Sequence, residues 1–223
     1  MGVPAPTEEP TSNIGRRRAS AKKESGPAYE ARRAEIMAAA ANVFLAKGYS
    51  ATSFKDIAEA LDLDRATLYY YFASKQELVQ TATIAAFAGY AEAAEAIAGG
   101  TGSPEQKVAA IFTMNLESAT RSDFHYVNIF LQEDVTKLMS GDNREWLRAI
   151  NSRRRRYEAA VTSIFEQGRA EGEFRSQVAP ALFTTALIGM GSWTQRWFDP
   201  KGPVGAGELA EQLARIIVHG AAG

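Results

Sequence analysis

The chain contains no cysteine, which excludes disulfide bonds and thiolate metal sites. Its two histidines, His125 and His219, stand near no second obvious metal ligand and near no nucleophile–base pair. The formal net charge is only -1, so contact with a polyanion requires a local basic surface. No apolar run approaches membrane-spanning length, and the start of the sequence lacks a signal-peptide pattern. We therefore expect a cytosolic protein that uses no metal, no cofactor and no membrane.

The residues that are present favour an all-α fold. Hydrophobic residues make up 46% of the 223 positions, enough for one substantial core or two small ones. No stretch alternates apolar and polar residues for long, as a half-buried strand would. We expect about nine helices, a small N-terminal cluster of three followed by a larger bundle. They are predicted at residues 29–47, 54–61, 65–72, 74–98, 104–121, 123–140, 143–171, 179–198 and 205–221.

Three regions follow from this pattern. Residues 1–27 are rich in proline, serine, threonine, glycine and charge and are predicted to be disordered, whereas residues 28–75 form the small cluster and residues 76–223 the bundle. The first region contains GRRRASAKK, which includes the consecutive Arg16, Arg17 and Arg18. This basic stretch is either a solvated tail or an arm that follows a phosphate backbone or enters a minor groove.

The second and third predicted helices have the form of a helix-turn-helix. The second carries an apolar stripe with helical spacing, formed by Phe54, Ile57, Ala58 and Leu61. Asp64 is placed to cap the third helix, in which Leu68 and Phe72 form an inward pair four residues apart. Two short helices joined by a turn of this length place the second helix in the major groove of DNA.

The third helix contains three consecutive tyrosines, within the stretch DRATLYYYFASK. With Leu68 and Phe72 inside, the helical period turns the other side chains away from the core, with Tyr69 near the boundary. A tyrosine ring can lie against sugar or a thymine methyl while its hydroxyl binds phosphate. The residues predicted to face outward are Arg65, Ala66, Thr67, Tyr70 and Tyr71. The alternative is that the tyrosines fill a helix–helix interface and Lys75 is solvated.

The segment ATSFKDIAEALDLDRATLYYYFASKQELV closely resembles the DNA-binding segment of TetR/AcrR-type transcriptional regulators. The matching elements are Gly48-Tyr49, Thr52, Asp56-Ile57-Ala58, Thr67-Leu68-Tyr69, Tyr71-Phe72 and Ser74-Lys75. The turn departs from the usual glycine and serine of the family, because Asp62 and Asp64 stand there, although aspartate accepts left-handed backbone and caps helices. The resemblance implies DNA-contacting roles for Thr52, Ser53, Lys55, Arg65, Ala66, Thr67, Tyr69, Tyr70, Tyr71 and Lys75.

A helix this short reads few base pairs, so we expect a homodimer on a palindromic operator, with two reading helices about one DNA turn (~34–36 Å) apart. The last two predicted helices are candidates for the interface, and regulators that resemble this chain dimerise through them. Residues 179–198 carry one apolar side at Leu182, Ala186, Met190, Trp193 and Trp197 and another at Phe183, Leu187 and Phe198. The last helix carries Leu209, Leu213, Ile216 and Ile217. A purely internal core remains the alternative.

In such regulators the middle helices enclose an effector pocket. Candidate lining residues are Phe112, Asn115, Leu116, Phe124, Val127, Leu131, Tyr157, Met190, Trp193 and Trp197, although for each one ordinary core packing is favoured over ligand contact. Residues 153–156 are four consecutive arginines, which span ~300° of a helix and therefore cannot all be solvated. We expect Arg153, Arg154 or both to lean inward. The partner is then Glu133 or Asp134, the favoured interpretation, or an anionic ligand.

The stretch GMGSWTQRWFDPKGPVGAGELAEQLARIIVHG resembles the C-terminal end of a TetR subgroup that controls fatty-acid, steroid or related catabolism and responds to acyl-CoA thioesters. This resemblance implies an apolar tunnel for the acyl chain, with Arg196 or an arginine of 153–156 for the phosphates. The chain is thus predicted to be a ligand-responsive repressor and not an enzyme. A multidrug-type repressor that senses cationic or aromatic compounds is the alternative. A helical enzyme or adaptor without DNA binding is a remote one, since no Walker A or Gly-x-Ser-x-Gly motif occurs.

Overall fold

The computed structural model describes residues 26–118, 126–127, 142–174, 178–194 and 197–220. These residues form eight α-helices and contain no β-strand, which confirms the predicted all-α class. The helices are α1 Pro27–Lys47, α2 Phe54–Ala60, α3 Arg65–Tyr71, α4 Lys75–Gly99, α5 Pro104–Ser118, α6 Arg144–Ala170, α7 Pro180–Thr194 and α8 Ala206–His219. The predicted helix at 123–140 lies outside the described residues except for Tyr126 and Val127, and the basic stretch with Arg16, Arg17 and Arg18 lies outside them entirely.

The seventh helix ends earlier than its sequence pattern predicts. The prediction ran to Phe198, but α7 extends to Thr194, and Trp197 and Phe198 lie beyond it. The peptide N–H of Phe198 still donates to the carbonyl oxygen of Thr194 at 2.9 Å. A proline at position 200 disfavours helical backbone in the residue before it, which accounts for the end of the helix in this region. Trp197 therefore does not continue the helical face on which it was predicted.

The first of two compact units contains α1, α2, α3 and the start of α4, over residues 26–82. In this unit α1 packs on α2, and α2 packs on α3. Its core consists of fully buried side chains from each short helix and from α1, among them Ile36, Phe44, Ile57, Leu68 and Phe72. The small N-terminal helical cluster is thus built around the apolar stripes that the sequence indicates.

The second unit is a helical bundle around α5. It begins at Thr83 within α4, further along that helix than the boundary placed after Lys75 by the sequence. The central helix α5 packs against α8, α6 and α7. A stack of aromatic rings lies in the core, with the ring centroids of Phe165 and Phe183 4.3 Å apart. Among the described residues, no helix combines the length and the apolar character needed to cross a membrane.

Candidate nucleic-acid interface

The turn between α2 and α3 depends on two aspartates. Asp62 has a φ of 52°, and aspartate accepts this left-handed conformation more readily than most residues do. A carboxylate oxygen of Asp64 accepts the peptide N–H of Thr67 at 2.6 Å and caps α3. Hydrogen bonds from Thr67 first, and then from the peptide N–H of Ala66, hold the pKa of Asp64 below its usual value. The two departures from the family's usual turn residues therefore form the turn and the cap expected of them.

The start of α2 is held by a capping box. Ser53 Oγ accepts from the peptide N–H of Asp56 at 3.3 Å, and Asp56 Oδ2 accepts from the peptide N–H of Ser53 at 2.7 Å. The ammonium of Lys47, at the end of α1, lies 2.6 Å from Asp56 Oδ1. The Lys47 ammonium first, and then Ser53, keep the pKa of Asp56 well below its usual range. Lys55 is exposed on the same turn and lies 3.4 Å from Glu59.

The recognition helix α3 buries the side that its sequence predicts. Leu68 and Phe72 are completely buried, which confirms the inward pair, while Arg65 and Ala66 are exposed. Thr67 and the three tyrosines, Tyr69, Tyr70 and Tyr71, are half-buried. The ring of Tyr69 packs 5.0 Å from that of Phe54, in agreement with the boundary position assigned to it.

Tyr71 was predicted to face outward, and this prediction is wrong. Its ring lies against the ring of Tyr29 in α1. The two ring centroids are 5.1 Å apart and the planes are nearly parallel, at 29°. Tyr70 meets the same Tyr29 ring edge-on at 5.9 Å and 85°. Burial raises the pKa of Tyr71 above its usual value. The helix–helix interface left open as the alternative is therefore present, although the rings keep part of their surface in solvent.

Arg33 of α1 is a residue that the sequence reasoning missed. Its Nη1 donates to the carbonyl oxygen of Tyr71 at 2.7 Å, and its guanidinium carbon lies 4.2 Å from the ring centroid of Phe72. The Arg33 side chain is only 12% exposed. A signal was available, since Arg33 stands four residues after Tyr29 and three before Ile36, within the buried face of α1. A charged residue in such a face requires a partner.

Lys75 joins the start of α4 to the turn that precedes α2. Its ammonium donates to the carbonyl oxygens of Tyr49 and Thr52, each at 2.7 Å, and lies 4.3 Å from the ring centroid of Tyr49. Burial lowers the pKa of Lys75, although the charge of Asp56 opposes this change. The alternative that Lys75 is simply solvated is therefore wrong. Two of its three ammonium donors are occupied within the protein.

Thr52, predicted to contact DNA, is buried in the same turn. Its hydroxyl donates to the carbonyl oxygen of Gly48 at 2.8 Å, and its peptide N–H donates to the carbonyl oxygen of Tyr49 at 3.3 Å. Its accessible surface is 2% of the maximum. The predicted contact of the Thr52 side chain with DNA is therefore corrected. Its hydroxyl is buried and stabilises the turn, so it does not point toward a phosphate.

The two helical units correspond to the two parts of one family of regulators. Residues 36–82 match the family described as bacterial regulatory proteins, tetR family. Residues 101–221, more than half of the chain, match the tetracyclin repressor-like C-terminal domain. The chain belongs to the TetR family. Its members are DNA-binding transcriptional regulators, so the predictions of DNA binding and of a non-enzymatic protein are confirmed by family membership.

Three TetR-family relatives are similar over nearly their whole length. The repressor KstR2 of Rhodococcus jostii is 28% identical over 193 residues, which are 86% of this chain and 91% of the relative. The structure of the ketosteroid transcriptional regulator KstR2 of Mycobacterium tuberculosis is 25% identical and covers 85% of this chain and 94% of its own, with a TM-score of 0.70. The structure of PfmR from Thermus thermophilus is 31% identical and covers 83% and 98%, with a TM-score of 0.71.

The candidate effector residues of this TetR-family chain differ in burial. Phe112, Asn115 and Leu116 are buried, and Val127, Tyr157 and Met190 are half-buried. The Asn115 amide donates to the Tyr157 hydroxyl at 3.1 Å, and burial raises the pKa of Tyr157 to about 12. Trp193 and Trp197 are instead exposed, so this chain does not enclose them as lining residues. Phe124, Leu131 and Arg196 lie outside the described residues.

The four consecutive arginines of α6 separate as their helical spacing requires. Arg153 turns inward, where its Nη1 donates to the carbonyl oxygen of Ala149 at 2.8 Å and its Nε is buried without a hydrogen-bond partner in the described parts of the chain. Arg154 lies on the surface, 3.4 Å from Glu158. Of the two arginines expected to lean inward, Arg153 does so and Arg154 does not. The predicted partners of the inward arginine, Glu133 and Asp134, lie outside the described residues.

The structure decides which side of α7 faces its own bundle. Phe183 and Leu187 are buried in the core, whereas Leu182 and Trp193 on the other side are 60% and 63% exposed. Trp197, just beyond the helix, is 57% exposed. On α8, Leu213 is buried and Ile216 is exposed. The two last helices thus present large apolar side chains to solvent in the single chain.

Proposed function

We propose that this TetR-family regulator binds a palindromic operator as a homodimer and is released from it by a small hydrophobic effector. The observation that carries the proposal is the position of α3. It is capped by Asp64 and anchored by Leu68 and Phe72, and its first turn exposes Arg65 and Ala66. This arrangement is the one in which a recognition helix enters a major groove with its N-terminal residues toward the bases. The proposal assigns the protein to the cytoplasm, where bacterial DNA lies.

The DNA contacts are proposed in two groups. The groups for base edges and nearby sugars lie on α3, where each keeps surface in solvent: Arg65, Ala66, Thr67, Tyr70 and Tyr71. The groups for phosphates are the remaining polar candidates that are exposed or half-buried, together with the arginines that precede the described residues. They are Ser53, Lys55, Tyr69, the third donor of Lys75, and Arg16, Arg17 and Arg18 of the basic stretch.

The homodimer is proposed to form through the exposed apolar side of α7 together with α8. Leu182, Trp193 and Ile216 are large apolar side chains that remain exposed in the single chain. Large apolar side chains left exposed in this way are typical of a protein–protein interface. A two-fold pair also places two copies of α3 on one duplex, as a palindromic operator requires.

The effector is proposed to be an acyl-CoA thioester. The KstR2 of Mycobacterium tuberculosis is described as a ketosteroid regulator, and the C-terminal resemblance of this chain is to regulators of fatty-acid and steroid catabolism. In this chain the hydrogen-bonded Asn115 and Tyr157 offer polar groups to a thioester or hydroxyl. Arg153 offers a guanidinium whose Nε has no hydrogen-bond partner in the described residues. These three groups suit the polar part of a largely apolar ligand.

A footprinting experiment tests DNA binding. The purified chain is incubated with the DNA flanking its own gene, and the protected segment is mapped and then used in gel shifts. We expect a protected palindrome and a shift that saturates at two chains per duplex. Protection of a site without two-fold symmetry, bound by one chain, contradicts the homodimer.

A thermal-shift screen tests the effector. Acyl-CoA thioesters, the corresponding free acids and cationic dyes are compared, and each ligand is then added to the protein–operator complex. We expect acyl-CoA thioesters to raise the melting temperature and to release the operator. Stabilisation by the dyes alone favours the multidrug-type alternative and removes the acyl-CoA assignment.

A further inference from the structure

The C-terminal end of the recognition helix is held by α1. Arg33 donates to the last carbonyl oxygen of α3, that of Tyr71, and Tyr29 touches the rings of both Tyr70 and Tyr71. We propose that Tyr29 and Arg33 are positioning residues for operator recognition. They set the direction of the recognition tyrosines and so determine the preference for the operator over other DNA, without contacting DNA themselves. This inference deepens the proposed function and rests on it.

Arg33 is placed to fix the end of α3 rather than to bind phosphate. The carbonyl groups of a last helical turn have no partner within the helix, and a guanidinium both satisfies one of them and complements the negative end of the helix dipole. Its guanidinium carbon lies over the Phe72 ring, and its side chain is 12% exposed. An arginine enclosed to this extent by Tyr71 and Phe72 has little surface left for a duplex.

Tyr29 acts through its ring and not through its hydroxyl. The hydroxyl oxygen is buried and has no hydrogen-bond partner in the described residues. The ring, in contrast, stacks on Tyr71 and meets Tyr70 edge-on, and the Tyr70 and Tyr71 rings meet each other at 87°. A tyrosine has two rotatable side-chain angles, so these contacts from one fixed neighbour restrict the directions of both recognition rings. Phenylalanine at position 29 keeps all of these ring contacts.

Contacts with bases depend on direction, whereas attraction to phosphates depends mainly on charge. Displaced Tyr70 and Tyr71 rings therefore weaken binding to the operator but leave nonspecific binding nearly unchanged. The slope of log affinity against log salt concentration also stays the same, because no cationic contact with phosphate is lost. A residue that binds phosphate directly lowers both affinities and reduces that slope by about one. These two readouts separate a positioning residue from a direct contact and from a purely structural one.

The experiment uses the full chain with two duplexes, the footprinted operator and a scrambled sequence of the same length and composition. Binding of Tyr29→Leu, Arg33→Met and Tyr29→Phe is measured by fluorescence anisotropy at four salt concentrations, at a temperature where circular dichroism shows each variant folded. Arg32→Met is the matched control, since it removes the same charge from the adjacent position, where Arg32 pairs with the exposed Glu35.

We expect Tyr29→Leu and Arg33→Met to lower operator affinity about tenfold, the effect of one weakened base contact, with an unchanged salt slope. Their affinity for the scrambled duplex stays within about twofold of the wild type. Tyr29→Phe retains the wild-type preference, and Arg32→Met changes both affinities by the same factor.

If Tyr29→Leu keeps the preference for the operator, the inference is overturned while the proposed function stands. The same holds if affinity falls equally for both duplexes and the salt slope of log affinity is reduced. If Arg33→Met does not fold, Arg33→Lys, which keeps the charge but not the fork of donors, takes its place. A wild-type chain that binds both duplexes equally overturns the proposed function instead, so the two failures are distinguishable.

Discussion

Lys75 Nζ donates a hydrogen bond of 2.7 Å to the carbonyl oxygen of Thr52, a residue 23 positions earlier in the chain. A second hydrogen bond to Tyr49 O makes the ammonium a bridge between the first turn of α4 and the turn ahead of α2. An ammonium has three donors, so one remains for a ligand. The same side chain can therefore hold the first unit together and present a charge at its surface.

Replacement of this ammonium tests both roles. We expect Lys75→Met to weaken operator binding, because the turn at Thr52 loses its anchor and a phosphate loses a cation. The salt slope decreases by about one unit for the lost phosphate contact. Fluorescence anisotropy at several salt concentrations measures both quantities. A weaker complex with an unchanged slope shows that Lys75 positions the turn and contacts no phosphate.

The cap of α3 predicts that the recognition helix loses stability in acid. The folded-state pKa of Asp64 is lowered, so the stability that its carboxylate contributes is present above its unfolded pKa of about 4. It is lost as the pH falls through the lower folded-state value. Asparagine caps helices about as well but does not titrate. The test is a set of thermal melts between about pH 6 and pH 3, a range that includes the pKa of a free carboxylate. Over this range we expect Asp64→Asn to lose less stability than the wild type.

Alanine at the same position provides the control for this prediction. Asp64→Ala removes the acceptor for the Thr67 N–H at every pH, so this variant should melt below the wild type at neutral pH as well. If Asp64→Asn and the wild type respond identically to acid, the carboxylate does not contribute to the acid sensitivity.

Gly168 leaves room for an aromatic ring. A Cβ atom at this position would lie 2.4 Å from Cδ2 of Phe174, which is too close for any packed pair. Gly168→Ala should therefore destabilise the protein by about 1–3 kcal/mol, despite the better helix propensity of alanine. Gly89→Ala, in the interior of α4 with nothing within 4 Å of the new Cβ, should instead stabilise it by about 0.5–1 kcal/mol. Urea unfolding compares the two, and equal effects would contradict the packing argument.

The exposed side of α7 provides a test of assembly. We expect Leu182→Glu to shift the protein from dimer to monomer, because a carboxylate buried in an apolar interface without a partner is strongly unfavourable. Leu45→Glu is the matched control, since Leu45 is 66% exposed in the first unit and lies outside α7 and α8. Sedimentation equilibrium measures the mass of each variant. A dimer that persists in Leu182→Glu removes this surface from the interface.

Short-range features of the fold were predictable from the residues alone. The Asp64 cap and the inward Leu68–Phe72 pair each join residues three or four positions apart. Such interactions depend only on the local helical geometry, which the pattern of side chains specifies. The prediction for Tyr71 was wrong because its neighbour, Tyr29, comes from a different helix.

By itself, the sequence determined the helical class of this protein, the helix-turn-helix and the family to which it belongs, since each depends on local spacing or on motifs within one segment. The tertiary structure alone decided that Arg33 closes the end of α3, that Lys75 reaches back to Thr52, and that Leu182 rather than Leu187 remains exposed. These pairings depend on which helices meet and on their rotation about their axes. When a helix has apolar residues on two sides, its sequence pattern specifies neither the helix that it meets nor its rotation about its axis.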